Sequence, residues 1–237
     1  YDIIGKHTDY SLSTLFNDIK VNRVTFDTDA PECKETGFDG EIKEVEDKVY
    51  YVSDGNISFK LTDSGSGVKE SSVKVLNRNG KPIKFEYDDT NGVVTVSTSQ
   101  FKEGSGEFTV VASDNLGTAM DAVKSTYYMH REKPMISGKS HSSVVVVNGK
   151  SYYDEDVTVV LSGYDNYKVK KVELVSKEET VEIKNGKFTI SKDGTYTVKV
   201  TDIVNDVTEY SLEELFKDGG IASTFIKDTE SPVEVSR

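Results

Sequence analysis

The sequence predicts an all-β protein built of antiparallel sandwiches. Three observations carry this: short runs of alternating apolar and polar residues, Asn-Gly pairs between them, and an internal repeat of about a hundred residues.

The alternation is clearest in four places. Ile57, Phe59 and Leu61 alternate with Ser58 and Lys60, and Val73 and Val75 flank Lys74. Val93, Val94 and Val96 follow a turn, and Tyr196, Val198 and Val200 alternate with Thr197 and Lys199. Neighbouring strand residues point to opposite faces, so each run makes a short strand with one face buried. Asn79-Gly80, Asn91-Gly92, Asn148-Gly149 and Asn185-Gly186 separate such runs. Asn-Gly accepts the positive φ angles of a tight hairpin, and Asp54-Gly55 and Asp193-Gly194 are further turn candidates. The alternation predicts one core of Ile57, Phe59, Val73, Val75, Phe108 and Val110. It predicts a second of Val157, Val159, Leu161, Val172, Leu174, Tyr196 and Val198. No disulfide assists either core, because Cys33 is the only cysteine; it reads as a lone thiol near a domain start.

The repeat sets the domain plan. Tyr1-Asp2-Ile3-Ile4-Gly5 through Tyr10-Ser11-Leu12 to Leu15-Phe16 matches Thr201-Asp202-Ile203-Val204-Asn205 through Tyr210-Ser211-Leu212 to Leu215-Phe216. Asp27-Thr28-Asp29-Ala30-Pro31 matches Asp228-Thr229-Glu230-Ser231-Pro232, with a weaker copy at Arg131-Glu132-Lys133-Pro134. Gly106-Glu107-Phe108-Thr109-Val110 with Asp114-Asn115-Leu116-Gly117 matches Gly194-Thr195-Tyr196-Thr197-Val198 with Asp202-Ile203-Val204-Asn205. In both copies the Asp is placed to cap a turn whose Gly or Asn takes the left-handed conformation. The expected division is 1–29, the C-terminal part of a preceding repeat; 30–131 and 132–230, two complete sandwiches; and 231–237, the start of a following repeat or linker. Residues 1–26 then hold a helical turn at Ser11–Phe16 and a last strand near Val21–Phe26. A capping box at Ser211-Leu212-Glu213-Glu214 starts a helical turn before the last strand of the final repeat.

At these residues the chain resembles bacterial immunoglobulin-like (Big-type) tandem repeats of surface or secreted proteins. The pattern is Asp193, Gly194, Tyr196, Val198, Val200, Asp202 and Asn205, then Asp228-Thr229-Glu230-Ser231-Pro232. Asp63-Ser64-Gly65-Ser66-Gly67-Val68 resembles another turn of such repeats. The middle copy departs at Phe108 and at His130-Arg131. The resemblance implies tandem immunoglobulin-like sandwiches of about a hundred residues each, with Tyr196 as a tyrosine corner.

The chemistry expected of the chain is sparse. Its 237 residues carry 41 acids and 29 bases, a net charge of -12, which excludes nucleic acid held on a basic face and opposes an anionic membrane surface. No apolar run reaches the about 20 residues of a membrane span, and no signal segment opens the chain; any targeting or anchoring element would lie outside this segment. His7, His130 and His141 stand in no metal or triad spacing, and no nucleophile elbow occurs. No catalytic, cofactor or metal residue is assigned, and the chain is read as not an enzyme. Calcium at the domain junctions is the one cofactor considered, through Asp27 and Asp29 at one and Asp228 and Glu230 at the other. Tyr50, Tyr51, Tyr152 and Tyr153 read as core or edge residues before a sugar platform. The function expected is a non-catalytic repeat region of a bacterial surface protein, an adhesin-like binding module or a stalk. The alternative is an accessory region of a large secreted glycoside hydrolase or protease. The expected location is extracellular, on a bacterial cell surface or secreted, and the expected partners are an extracellular protein or glycan and neighbouring repeats.

Overall fold

The computed structural model describes residues 26–162, 169–217 and 220–229. The readings placed on residues 1–25, on Glu230 and on 231–237 lie outside them. Phe26, the last residue of the strand expected near Val21, is exposed and belongs to no strand.

The described residues are all-β. In chain order the strands are β1 (Glu32–Phe38), β2 (Ile42–Val45), β3 (Lys48–Tyr51), β4 (Asn56–Thr62), β5 (Lys74–Asn77), β6 (Glu86–Asp88), β7 (Val93–Ser97), β8 (Gly104–Val111) and β9 (Val123–Met129). They continue with β10 (Ser137–His141), β11 (Val145–Val147), β12 (Lys150–Tyr153), β13 (Val157–Ser162), β14 (Val169–Val175), β15 (Thr180–Glu182), β16 (Lys187–Ile190), β17 (Gly194–Thr195), β18 (Thr197–Asp202), β19 (Val207–Ser211) and β20 (Thr224–Lys227). A single turn of helix, α1 (Leu212–Leu215), sits between β19 and β20. By contacts the chain forms two compact units that interleave along the sequence. One holds 26–39, Gly55–Gln100 and Gly106–Thr126; the other holds Gly40–Asp54, Phe101–Ser105 and 127–229.

In the first unit β1, β4, β7 and β6 form an antiparallel sheet, and β5 pairs antiparallel with β8. The alternation in β4 and β7 turns Ile57, Phe59, Leu61, Val94 and Val96 inward, and Val75, Phe108 and Val110 of β5 and β8 are buried too. Phe59 and Phe108 touch edge to face with centroids 5.7 Å apart, the preferred geometry of two ring quadrupoles. All six residues predicted for this core are buried.

In the second unit β10-β13-β16, β11-β12-β20-β17 and β15-β14-β18-β19 form three sheets around one core. The seven residues predicted there are all buried, with Phe188, Ile190, Leu212 and Phe225 beside them. The Tyr196 hydroxyl donates to the Lys192 carbonyl at 2.9 Å, so the tyrosine corner forms. The capping box forms as well. Glu214 N–H donates to Ser211 Oγ at 3.2 Å, and Ser211 N–H donates to Glu214 Oε2 at 2.7 Å.

Two expectations need correction. The pairing is not purely antiparallel. β12 runs parallel to β20, and Tyr51 of β3 pairs parallel with Met129 of β9. Laying an early strand beside the last one gives partners to backbone groups that an open edge would leave bare. The turn pairs also differ among themselves. Asn148-Gly149 and Asn185-Gly186 have positive φ at both residues, as a tight hairpin turn requires, but at 79–80 and 91–92 only the glycine does. There the preceding polar residue holds the loop. Asn77 Oδ1 accepts from the N–H groups of Asn79 and Lys81, and the Asp88 carboxylate accepts from Asn91.

Candidate functional site

Each unit contains one tight turn built on a buried aspartate, and the two turns match bond for bond. Asp114 Oδ1 accepts from Leu116 N–H at 3.0 Å and Thr118 N–H at 2.7 Å, with Gly117 left-handed. Asp202 Oδ1 accepts from Val204 N–H at 3.0 Å and Asp206 N–H at 2.7 Å, with Asn205 left-handed. These are the turns that the Asp-x-x-Gly/Asn pattern predicts. In both, the other oxygen, Oδ2, is left to face its surroundings.

What Oδ2 meets differs. In the second unit Asp202 Oδ2 lies 2.9 Å from Nε2 of His130, and both side chains are buried. His130 Nδ1 lies 4.0 Å from Glu103 Oε1, and the Tyr50 ring packs edge-on against the imidazole at 6.4 Å. In the first unit Asp114 Oδ2 is buried without a hydrogen-bond partner. Carboxylate oxygens of Asp27, Asp63 and Asp114 converge there, all within 4.8 Å of one another.

The loops explain the convergence. Asp63 Oδ1 accepts from Gly65 N–H at 3.0 Å and Gly67 N–H at 2.7 Å, which folds 63–67 into a tight turn and leaves its Oδ2 buried without a partner. Asn115 Nδ2 ties that turn to the next by donating to the Ser66 carbonyl at 2.8 Å and the Gly67 carbonyl at 3.1 Å. Asp27 lies over the turn and accepts from Ser66 N–H. A Cβ at Gly65 would stand 2.1 Å from Asp27 Cγ, so only glycine admits this approach. Hydrogen bonds from the Ser66 side chain and backbone hold the Asp27 carboxyl below the usual carboxylate range. Burial pushes Asp114 up, but donors at Thr118, Gly117 and Leu116 outweigh it, and its net shift is also downward. Among the described residues none of the three makes an ion pair.

The other expected site residues fall elsewhere. Asp29 is outside the triad but lines a cleft of about 520 Å³ beside it, with Thr28, Thr62, Asp63 and Ser64. Asp228 donates its N–H to the Tyr153 carbonyl at 2.7 Å and lines a separate cleft of about 660 Å³ with Val145, Val147, Tyr152 and Tyr153. Tyr50, Tyr51 and Tyr153 are buried, as the core reading expected, and Tyr152 is half-buried. His141 Nδ1 is 2.7 Å from the Ser142 carbonyl, and His7 lies outside the described residues. The Cys33 thiol is pushed up to about 11, by burial first and the Glu35 charge second, which keeps it protonated and unreactive at neutral pH. Asp63 and Asp114 were legible in the sequence only as turn residues. The available signal was that Asp27 and His130 stand at the same distance before Pro31 and Pro134.

No protein-family model and no curated protein matches this chain. Among solved structures it is similar to the fibronectin(III)-like modules of Clostridium thermocellum CbhA, at 18% identity over 68% of this chain and 84% of that one, with TM-score 0.31. It is also similar to the SrpA adhesin of Streptococcus sanguinis, at 14% identity over 81% and 96%, with TM-score 0.35. A third is Drosophila OTK, extracellular domains 3–5, at 11% identity over 76% and 58%, with TM-score 0.41. Likeness this loose says nothing about a site. No helix among the described residues is long and apolar enough to cross a membrane.

Proposed function

We propose that this chain is a non-catalytic region of immunoglobulin-like repeats in a bacterial surface protein, with complete repeats at 30–131 and 132–230, and that it serves as a stalk outside the cell. The observation behind this reading is the parallel pairing of β12 with β20, at Ser151↔Phe225, Tyr152↔Ile226 and Tyr153↔Lys227. In a parallel pair the chain enters one strand and leaves the other at opposite ends. Tension along the chain then loads the rungs together, in shear, where a hairpin would open one rung at a time. Side chains reinforce the join: Ser151 Oγ accepts from Ala222 N–H at 2.7 Å and donates to the Ala222 carbonyl at 3.0 Å, wholly buried. Pulling the chain by its ends tests the reading. Discrete unfolding peaks are expected, and smooth extension without a peak would refute the stalk. A binding role for the same region is favoured by the cleft at Tyr152, Tyr153 and Asp228, whose aromatic and acidic lining suits a glycan. An array of glycans and extracellular host proteins tests that part, and the absence of any saturable binder would remove it.

A further inference from the structure

We infer that Asp27, Asp63 and Asp114 bind one calcium ion. The inference stands on the geometry of the first unit and does not depend on the stalk.

Three carboxylate oxygens within 4.8 Å of one another, with no ion pair among the described residues, repel one another unless a cation lies between them. Exposed acidic clusters are common and need no ion, but this cluster has a buried floor. Asp114 is 0% exposed, and its Oδ2 has no hydrogen-bond partner. Asp63 Oδ2 is likewise buried and unpartnered. A buried carboxylate oxygen without a donor is costly, and native structures supply a partner.

The second unit shows what such an oxygen requires. At the matching turn Asp202 Oδ2 is met by the His130 imidazole at 2.9 Å. His130 precedes Pro134 as Asp27 precedes Pro31. The linker therefore delivers a donor to one aspartate and a further carboxylate to the other. A carboxylate completes a site only around a positive ion.

The donor set selects the ion. All donors are hard carboxylate oxygens, with no thiolate or imidazole, which excludes a preference for zinc or copper. Calcium takes oxygens at about 2.3–2.6 Å in flexible geometry, which suits carboxylates brought together from three separate loops. Magnesium, at about 2.0–2.1 Å, demands a near-ideal octahedron and keeps several of its waters, so it is bound through one or two carboxylates and not through three. The cleft beside Asp63 admits water for the remaining positions. The ion would tie together the linker at 27, the turn at 63–67 and the turn at 114–118.

Calorimetric titration of calcium chloride into the chelator-treated full chain tests this, with thermal melts in parallel. Saturable binding with a midpoint on the order of 0.1–1 mM, the range of extracellular modules, is expected. It should weaken at least tenfold in Asp63→Asn, Asp114→Asn and Asp27→Asn, and calcium should raise the melting temperature of the wild type but of none of these. Asparagine keeps the Oδ1 acceptor of each turn, so the turns are expected to form in the variants. Should Asp114→Asn fail to fold, Asp27→Asn at the half-exposed rim decides. No saturable binding up to about 10 mM, or wild-type affinity in Asp27→Asn and Asp63→Asn, would overturn the assignment.

Discussion

His130 Nε2 lies 2.9 Å from Asp202 Oδ2, with both side chains buried. Residue 130, just after β9, thereby supplies a partner to the oxygen of Asp202 that the turn's own N–H groups do not reach. Removing the imidazole leaves a buried carboxylate oxygen without a donor. We predict that His130→Ala destabilises the protein by about 1–3 kcal/mol. Denaturant titration checks this, and a loss below about half a kcal/mol would show that the contact is incidental.

The two buried tyrosines of the second core should respond in opposite ways to loss of the hydroxyl. Tyr196 donates to Lys192, so Tyr196→Phe should cost about 0.5–1.5 kcal/mol. The Tyr153 hydroxyl is buried with no hydrogen-bond partner, so Tyr153→Phe should be neutral or stabilising. Paired denaturation curves decide, and the reverse order would contradict the assignment of the corner.

Alkaline stability should follow Tyr153. Burial, and then the nearby Asp193, pushes its hydroxyl from 10.0 up to about 12. The folded state holds a proton that the unfolded state releases, so this contribution is complete below about pH 10 and is lost as the pH rises towards 12. Melting temperature measured against pH should fall over that window, and less steeply in Tyr153→Phe.

The cores rest on apolar packing. Leu161→Ala and Leu174→Ala, at buried positions of β13 and β14, should each cost about 2–5 kcal/mol. Costs near zero at both would show that the inward register of these strands is wrong.

Much of this architecture could be read from the sequence because burial on one face imprints a period of two. Ile57, Phe59 and Leu61 carry that imprint, and so do Val157, Val159 and Leu161. The Asp114 and Asp202 caps were legible for a similar reason, since each acts within four residues of itself. The meeting of Asp27 with Asp63 and Asp114 was not, because three loops distant in sequence produce it. Val145, Val146 and Val147 carry no such imprint: they are exposed on edge strand β11. Tyr50-Tyr51 and Tyr152-Tyr153 stand out in the sequence as aromatic pairs. Their equivalence appears only in the structure, where each pair ends a hairpin, β2–β3 or β11–β12, and leads into a parallel contact with a later strand.

The direction in which the second unit resists force tests the stalk most directly. Handles attached at Lys150 and Lys227, with Cys33 replaced by Ser, load the parallel β12–β20 rungs in shear. Handles at Thr195 and Thr224, which face each other in the short antiparallel β17–β20 pair, open that pair from one end. The account predicts a several-fold higher rupture force in the first geometry. Equal forces in the two would contradict it.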